Sequence, residues 1–184
     1  MKKFLFSALV LGTTLFASAQ ETTFKPFKVD IALGYAVPGG SGSKGGVVFA
    51  VEPKYALNDN LTVGLRMEAA VTARVTMDAY GQEMTGDAKA SASYLLTGDY
   101  YFNTNRFRPF VGVGAGVYRL AAVDLNSSEV QTGTKFGAAP RVGFEFGHFR
   151  TAIEYNATGK TGTYNNNYLG IKLGFFIGGG RLDY

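Results

Sequence analysis

The stretch Phe136-Gly137-Ala138-Ala139-Pro140-Arg141-Val142-Gly143-Phe144-Glu145-Phe146-Gly147-His148-Phe149-Arg150-Thr151-Ala152-Ile153-Glu154-Tyr155-Asn156 decides the fold. Before Gly147-His148, one parity carries Phe136, Ala138, Val142, Phe144 and Phe146, and the other carries Gly137, Ala139, Arg141, Gly143 and Glu145. After it, Ile153 and Tyr155 alternate with Arg150, Ala152, Glu154 and Asn156. A period of two with one large apolar face is the signal of a β-strand. With Gly147-His148 as a two-residue hairpin turn, Phe146 opposes Phe149, Glu145 opposes Arg150 and Arg141 opposes Glu154. One turn assignment thus generates two opposite-charge pairs on the small-residue face, where cross-strand neighbours stabilise each other.

The same alternation runs outward from this hairpin in both directions. Val29, Ile31, Leu33, Tyr35 and Val37 share a face in Lys28–Val37, and Val47, Phe49, Val51, Pro53 and Tyr55 share one in the next run. Leu61, Val63, Leu65, Met67, Ala69 and Val71 form the third apolar face, opposite Arg66 and Glu68. Tyr94, Leu96, Tyr100 and Phe102 face away from Ser93, Thr97 and Asp99 in a noisier fourth run. Val111, Val113, Ala115 and Val117 alternate strictly with glycine, and Leu169, Ile171, Leu173, Phe175 and Ile177 alternate with Gly170, Lys172 and Gly174. These runs make eight strands.

The connections alternate as well. Asn58-Asp59-Asn60, Asn103–Arg108 and Gly147-His148 are short, whereas Pro38–Gly45, Asp78–Asp87, Asp124–Lys135 and Thr158–Asn167 are longer and polar. An even number of strands with short turns at one end and long loops at the other predicts an all-β fold, an eight-stranded antiparallel up-and-down transmembrane β-barrel, with its termini in the periplasm and its long loops outside the cell. The large apolar face belongs against lipid. The glycine, alanine and charged face suits a narrow interior, because eight strands leave just enough room for side chains. A three-residue loop at Asn58–Asn60 places Leu57 opposite Leu61 and Glu52 opposite Arg66. The expected lumen charge network is therefore Glu52, Arg66, Glu68, Asp99, Arg141, Glu145, Arg150, Glu154 and Lys172, since buried charges are tolerated only when partnered. Tyr55, Tyr100, Phe102, Phe144 and Phe146 fall at the short-turn ends of the outward faces, where an interfacial aromatic girdle belongs.

Met1–Ala19 reads as a secretory signal peptide, with Lys2 and Lys3 before an apolar run from Phe4 to Phe16 and Ala17-Ser18-Ala19 as the cleavage site. A run of thirteen residues falls short of the roughly 20 that a spanning helix needs. The expected organisation is a leader at 1–19, a periplasmic lead at 20–27, the barrel at 28–177 and a tail at 178–184. The net charge of +4 falls to +2 once the two leader lysines are removed, which leaves no electrostatic footprint for nucleic acid. The absence of cysteine excludes a disulfide scaffold, a lipid anchor on cysteine and a cysteine nucleophile.

Tyr55-Ala56-Leu57-Asn58-Asp59-Asn60-Leu61, Arg108-Pro109-Phe110-Val111-Gly112-Val113-Gly114-Ala115-Gly116-Val117-Tyr118 and Tyr168-Leu169-Gly170-Ile171-Lys172-Leu173-Gly174-Phe175 resemble the small outer-membrane β-barrel domain proteins, the OmpA/OmpX/OmpW-like and PorT-like group. The resemblance covers the chain beyond the leader and implies an outer-membrane barrel, with no particular activity attached. Such proteins often close the last strand on an aromatic residue, whereas here Tyr184 follows Gly178-Gly179-Gly180.

Sharper chemistry fails on spacing. Gly112, Gly114 and Gly116 recur strictly every second residue with no helix pattern after them, unlike a nucleotide-binding loop. Gly159-Lys160-Thr161 resembles the end of a P-loop, but Glu154 occupies the position of the required first glycine. His148 is the only histidine and falls in a short turn, at the wrong end of the barrel for a hydrolase acting on outer-leaflet lipid. The sequence therefore predicts neither an enzyme nor a metal site nor a bound cofactor. Its expected partners are outer-membrane lipids, the outer-membrane assembly machinery and surface or envelope proteins. The leading reading is a plugged barrel with a structural or interaction role. Passage of small or amphipathic solutes, as the OmpW-like resemblance implies, is the alternative, and lipid modification a distant third.

Overall fold

The computed structural model describes residues 23–39, 43–77, 83–124, 130–161 and 164–182. The leader expected over 1–19 and the terminal Tyr184 lie outside the described residues. Strands β1 (Phe27–Pro38), β2 (Ser43–Ala56), β3 (Leu61–Met77), β4 (Glu83–Tyr101), β5 (Phe107–Asp124), β6 (Val130–Phe146), β7 (Phe149–Asn156) and β10 (Tyr168–Gly178) close a barrel. Every neighbouring pair is antiparallel, and β1 meets β10 from Lys28 to Pro38, along the full length of β10. A small hairpin, β8 (Lys160–Thr161) and β9 (Tyr164–Asn165), stands apart above β7.

The hairpin register follows the charge pairing. Phe146 opposes Phe149, Glu145 opposes Arg150 and Arg141 opposes Glu154, with Gly147 at φ 60° in the turn. At the Asn58–Asn60 loop the Leu57 amide donates to the Leu61 carbonyl at 2.9 Å, and Ala56 opposes Thr62.

A row of paired residues traced around the wall from Leu61 passes through Tyr100, Val111, Val142, Ile153, Ile171, Tyr35 and Val47, and returns to β3 at Val71. The shear is therefore ten residues over eight strands. With the usual rise and strand spacing this tilts the strands by about 40°, within the range of closed barrels.

The outer face is apolar along its length. Leu33, Leu65, Leu96, Val113, Val142, Ile153 and Leu173 are exposed in a band, with Leu96 at 73%. Exposed aromatics bound this band. Phe27, Tyr55, Tyr100, Phe102, Phe107, Phe146 and Phe149 ring the short-turn end, and Tyr35, Tyr94, Phe136 and Tyr155 lie nearer the other. Of the expected girdle, Phe144 alone is only partly exposed, with its ring 5.1 Å from that of Phe107.

All four expected long loops are strand in part: β2 begins at Ser43, and β8 and β9 lie within Thr158–Asn167. β4 begins at Glu83 and β6 at Val130, so Glu83–Asp87 and Val130–Lys135 continue their ladders beyond the apolar band. Polar sequence does not end a strand whose backbone groups are already paired with a neighbour.

The tail is not a loose end. Gly178 and Gly179, at φ 82° and 63°, turn the chain after β10. A Cβ on Gly179 would stand 2.8 Å from Lys28 Cβ, so the turn needs glycine both for its backbone and for its close approach. Arg181 then pairs with Phe24, and the Lys25 amide donates to the Gly180 carbonyl at 2.9 Å. The strands take in Phe27 and Gly178, one residue more at each end than the expected barrel limits.

Candidate functional site: an ion-paired lumen

The interior is filled by charged side chains that stack along the axis. At the short-turn mouth the Arg108 guanidinium lies 3.9 Å from the Phe24 ring and 4.2 Å from the Tyr101 ring, and donates to the Asp59 carbonyl oxygen at 2.5 Å. One layer in, Lys28 is paired with Glu145 and stands 3.0 Å from the Tyr101 hydroxyl, which itself donates to Glu145 at 2.6 Å. Lys28 Nζ also stands 4.3 Å from the Phe176 ring centroid.

The middle layer joins both sides of the barrel. Arg150 lies over the Phe110 ring at 3.8 Å and donates to Glu145 at 2.6 Å and Asp99 at 2.8 Å, with Asp30 at 3.3 Å. Lys54 reaches Asp30 and Asp99, both at 2.7 Å. Arg141 donates from Nε to Asp99 at 2.7 Å and forks onto Glu52 at 2.7 and 2.9 Å. Thr97 donates to the same Glu52 carboxylate at 2.5 Å.

The third layer lies towards the long hairpins. Arg66 is paired with Glu154, lies 3.6 Å from Glu68 and donates to the Asn156 amide oxygen at 3.1 Å. Lys172 is paired with Glu68 and stands 2.9 Å from Glu154. Tyr168 donates to Glu68 at 2.5 Å, and Tyr118 to Asn156 at 2.7 Å. Above this layer Ala36, Val48, Ala70 and Tyr168 form one small apolar cluster, and Leu95, Tyr118 and Ala139 another.

All nine residues of the expected network are buried in the lumen, but two expected contacts are redrawn. Glu52 does not pair with Arg66; it pairs with Arg141, whose register neighbour Glu154 is 3.8 Å away. Glu154 is instead the main partner of Arg66. Cα register sets which residues are adjacent along the wall, whereas in so narrow a barrel the tips of long side chains meet across the axis.

Lys28, Asp30, Lys54 and Arg108 also belong to the stack and were not among the nine. The first three have the inward parity of their strands, which is the available signal; Arg108 closes the expected Asn103–Arg108 turn, whereas β5 already begins at Phe107. Among the described residues the buried cations are Lys28, Lys54, Arg66, Arg108, Arg141, Arg150 and Lys172, against the carboxylates of Asp30, Glu52, Glu68, Asp99, Glu145 and Glu154. Near-balance is what burial demands, because an uncompensated ion in such a space is far costlier than a paired one.

The space left over is small. A cavity of about 30 Å³ lies among Asp30, Glu52, Arg66, Arg141, Arg150, Glu154 and Lys172, enough for about one water molecule. His148 is far from this stack in character: it is exposed in its turn, with Nδ1 3.0 Å from the Phe176 carbonyl oxygen. Among the described residues no cluster of acidic and histidine side chains has metal-holding geometry.

Comparison with known proteins gives one consistent answer. The family model described as outer membrane protein beta-barrel domain matches residues 6–176. Neisserial surface protein A is similar with a TM-score of 0.62 at 19% identity, over 83% of this chain and 96% of that one. OprG from Pseudomonas aeruginosa follows with a TM-score of 0.54 at 14% identity, over 85% and 98%. Ail of Yersinia pestis, determined in a phospholipid bilayer nanodisc, has a TM-score of 0.51 at 17% identity, over 82% and 99%. At these identities the likeness is one of fold. No curated protein matches the sequence significantly.

Proposed function

The chain belongs to the outer membrane protein beta-barrel domain family, and from that premise we propose that it is a plugged barrel whose work is done outside its lumen, as a structural or interaction element of the cell envelope. The observation that carries this reading is the lumen itself: among the described residues, thirteen buried ionic side chains surround a cavity of about 30 Å³, room for about one water molecule. What the barrel offers instead is its rim. At a tilt of about 40° each strand residue climbs roughly 2.5 Å, so the apolar band of about 25 Å accounts for only some ten residues of a strand. β3 to β6 are 17 to 19 residues long, whereas β7 has eight. One half of the wall therefore stands about 20 Å above the membrane, on the side that would face the surroundings of the cell.

The test is single-channel recording of the refolded protein in a planar bilayer, run beside cross-linking in intact cells from residues at the β3–β4 and β5–β6 tips. The expected result is no conductance steps and specific cross-links that disappear when the tips are shortened. Steady conductance by the folded wild-type barrel overturns the plugged reading and favours the passage of small solutes.

A further inference from the structure

The outer wall carries a groove that the plugged-barrel reading does not use. It has a volume of about 470 Å³ and an almost wholly apolar lining, with Phe27, Tyr55 and Val63 below and Pro53, Leu65 and Leu96 above. Its floor is the backbone at Lys54, Gly64 and Thr97, which are positions of the inward parity.

The local chain explains the depression. Pro53 offers no N–H to the ladder, and the paired register of β2 and β3 skips from Val51 and Met67 to Lys54 and Gly64. Gly98, opposite Val63 on β4, has no side chain to fill the outer surface; an added Cβ there would meet nothing closer than Thr62 O at 4.0 Å. A furrow therefore runs from the aromatic girdle at the short-turn end up towards the middle of the apolar band.

The segment that leads into the foot of the furrow carries a cation. Lys25 is exposed two residues before Phe27, and the strand end beside it is fixed by the Ala56 amide donating to Pro26 O at 2.7 Å. Arg181 is exposed on the adjoining tail segment. The carboxylate of Asp59 accepts from the Thr23 amide at 3.0 Å to both oxygens. An apolar slot that opens at headgroup level beside an uncommitted ammonium matches a molecule with a hydrocarbon tail and a phosphate.

We propose that this groove is a binding site for one glycerophospholipid, with an acyl chain laid between Phe27, Tyr55, Val63, Leu65 and Leu96 and its phosphate at Lys25. The site is distinct from the general lipid contact of the barrel because its walls are fixed strand side chains. It stands independently of the role proposed for the rim. The positive charge at its foot favours an anionic headgroup over a zwitterionic one.

Native mass spectrometry of the full folded chain tests this, with phosphatidylglycerol and phosphatidylcholine as the two probes, added to delipidated protein in detergent. The expected result is a single retained lipid, with phosphatidylglycerol held at least threefold more than phosphatidylcholine. Val63→Phe, which fills the slot, should cut retention at least fivefold. Ile153→Phe, which adds the same ring to an outward position on β7, across the barrel from the groove, should leave it unchanged. Lys25→Gln should remove the headgroup preference while the lipid is still retained. The heat-shifted gel mobility of each variant checks that it folds. No retained lipid, equal loss in both phenylalanine variants, or an unchanged preference in Lys25→Gln overturns the proposal.

Discussion

Arg141 reaches across the lumen to Glu52, with its two terminal nitrogens 2.9 and 2.7 Å from the two carboxylate oxygens, while Glu154, its neighbour in register, is 3.8 Å away. A forked pair of this kind is the stronger geometry, and it ties β6 to β2 through the interior of the barrel. Removing one partner leaves the other buried and uncompensated. Arg141→Met and Glu52→Gln should each lower unfolding stability in lipid vesicles by about 3–5 kcal/mol. The double variant should recover part of the loss, with a coupling above roughly 0.5 kcal/mol that exceeds the coupling of Arg141 with Glu154. The ranking of the two couplings is the check on which contact matters more.

The outward face gives a second expectation. Leu65 and Leu96 oppose each other on β3 and β4 and are 45% and 73% exposed, which only a hydrocarbon surround makes favourable. Leu65→Arg should cost roughly 2–4 kcal/mol of stability in vesicles, the depth-dependent penalty for a cation near the bilayer midplane. The same substitution at a strand residue beyond the aromatic girdle should cost much less. Folding titrations in urea with both variants measure the difference.

The fold was legible because each strand has two unlike faces. Large apolar residues on one parity and glycine, alanine and charge on the other identified strands, facing and hairpin register from local sequence alone. The contacts inside were not legible to the same degree. Whether Arg66 meets Glu52 or Glu154 depends on the shear and on where long side chains cross the axis, and no single hairpin contains that information. Inward aromatics were missed for a related reason. Tyr101, Phe110, Tyr118 and Tyr168 are buried; Tyr101, Phe110 and Tyr168 lie near strand ends, where alternation is read from few residues, and Tyr118 lies just past the strict Val111–Val117 alternation. The structure makes them the hydroxyl bridges and ring platforms of the charge stack.

The short-turn mouth is closed by a contact that can be removed without touching the ion pairs. Phe24 covers the Arg108 guanidinium at 3.9 Å and is 8% exposed, held there by the pairing of the two terminal segments. Phe24→Ala should lower stability by about 1–2 kcal/mol, the scale of a desolvated cation–π contact. It should also speed amide hydrogen exchange at Lys25 and Leu182, whose N–H groups bond across that closure. Exchange within β5 and β6 should stay at the wild-type rate, since their ladders do not depend on it.

Adjacent glycines on the two faces of the wall should respond oppositely to the same methyl group. Gly112 faces inward, and a Cβ there would run into Asp99 Oδ1 and stand 2.7 Å from the Gly98 carbonyl oxygen. Asp99 Oδ1 is the atom that accepts from Arg141 Nε at 2.7 Å. Gly112→Ala must therefore displace either the backbone of β4 or the Asp99 carboxylate, and moving the carboxylate weakens its bonds to Arg141, Arg150 and Lys54 together. Crowding of this kind typically costs about 1–3 kcal/mol. Gly98 faces outward and its added methyl would meet only Thr62 O, at 4.0 Å, so Gly98→Ala should stay within about 0.5 kcal/mol of wild type, as substitutions on an open surface do. Urea unfolding of the two variants in the same vesicles measures the contrast. Equal costs would mean that the inner wall yields to a methyl group as easily as lipid does, and the tightly filled lumen on which the plugged-barrel reading rests would have to be given up.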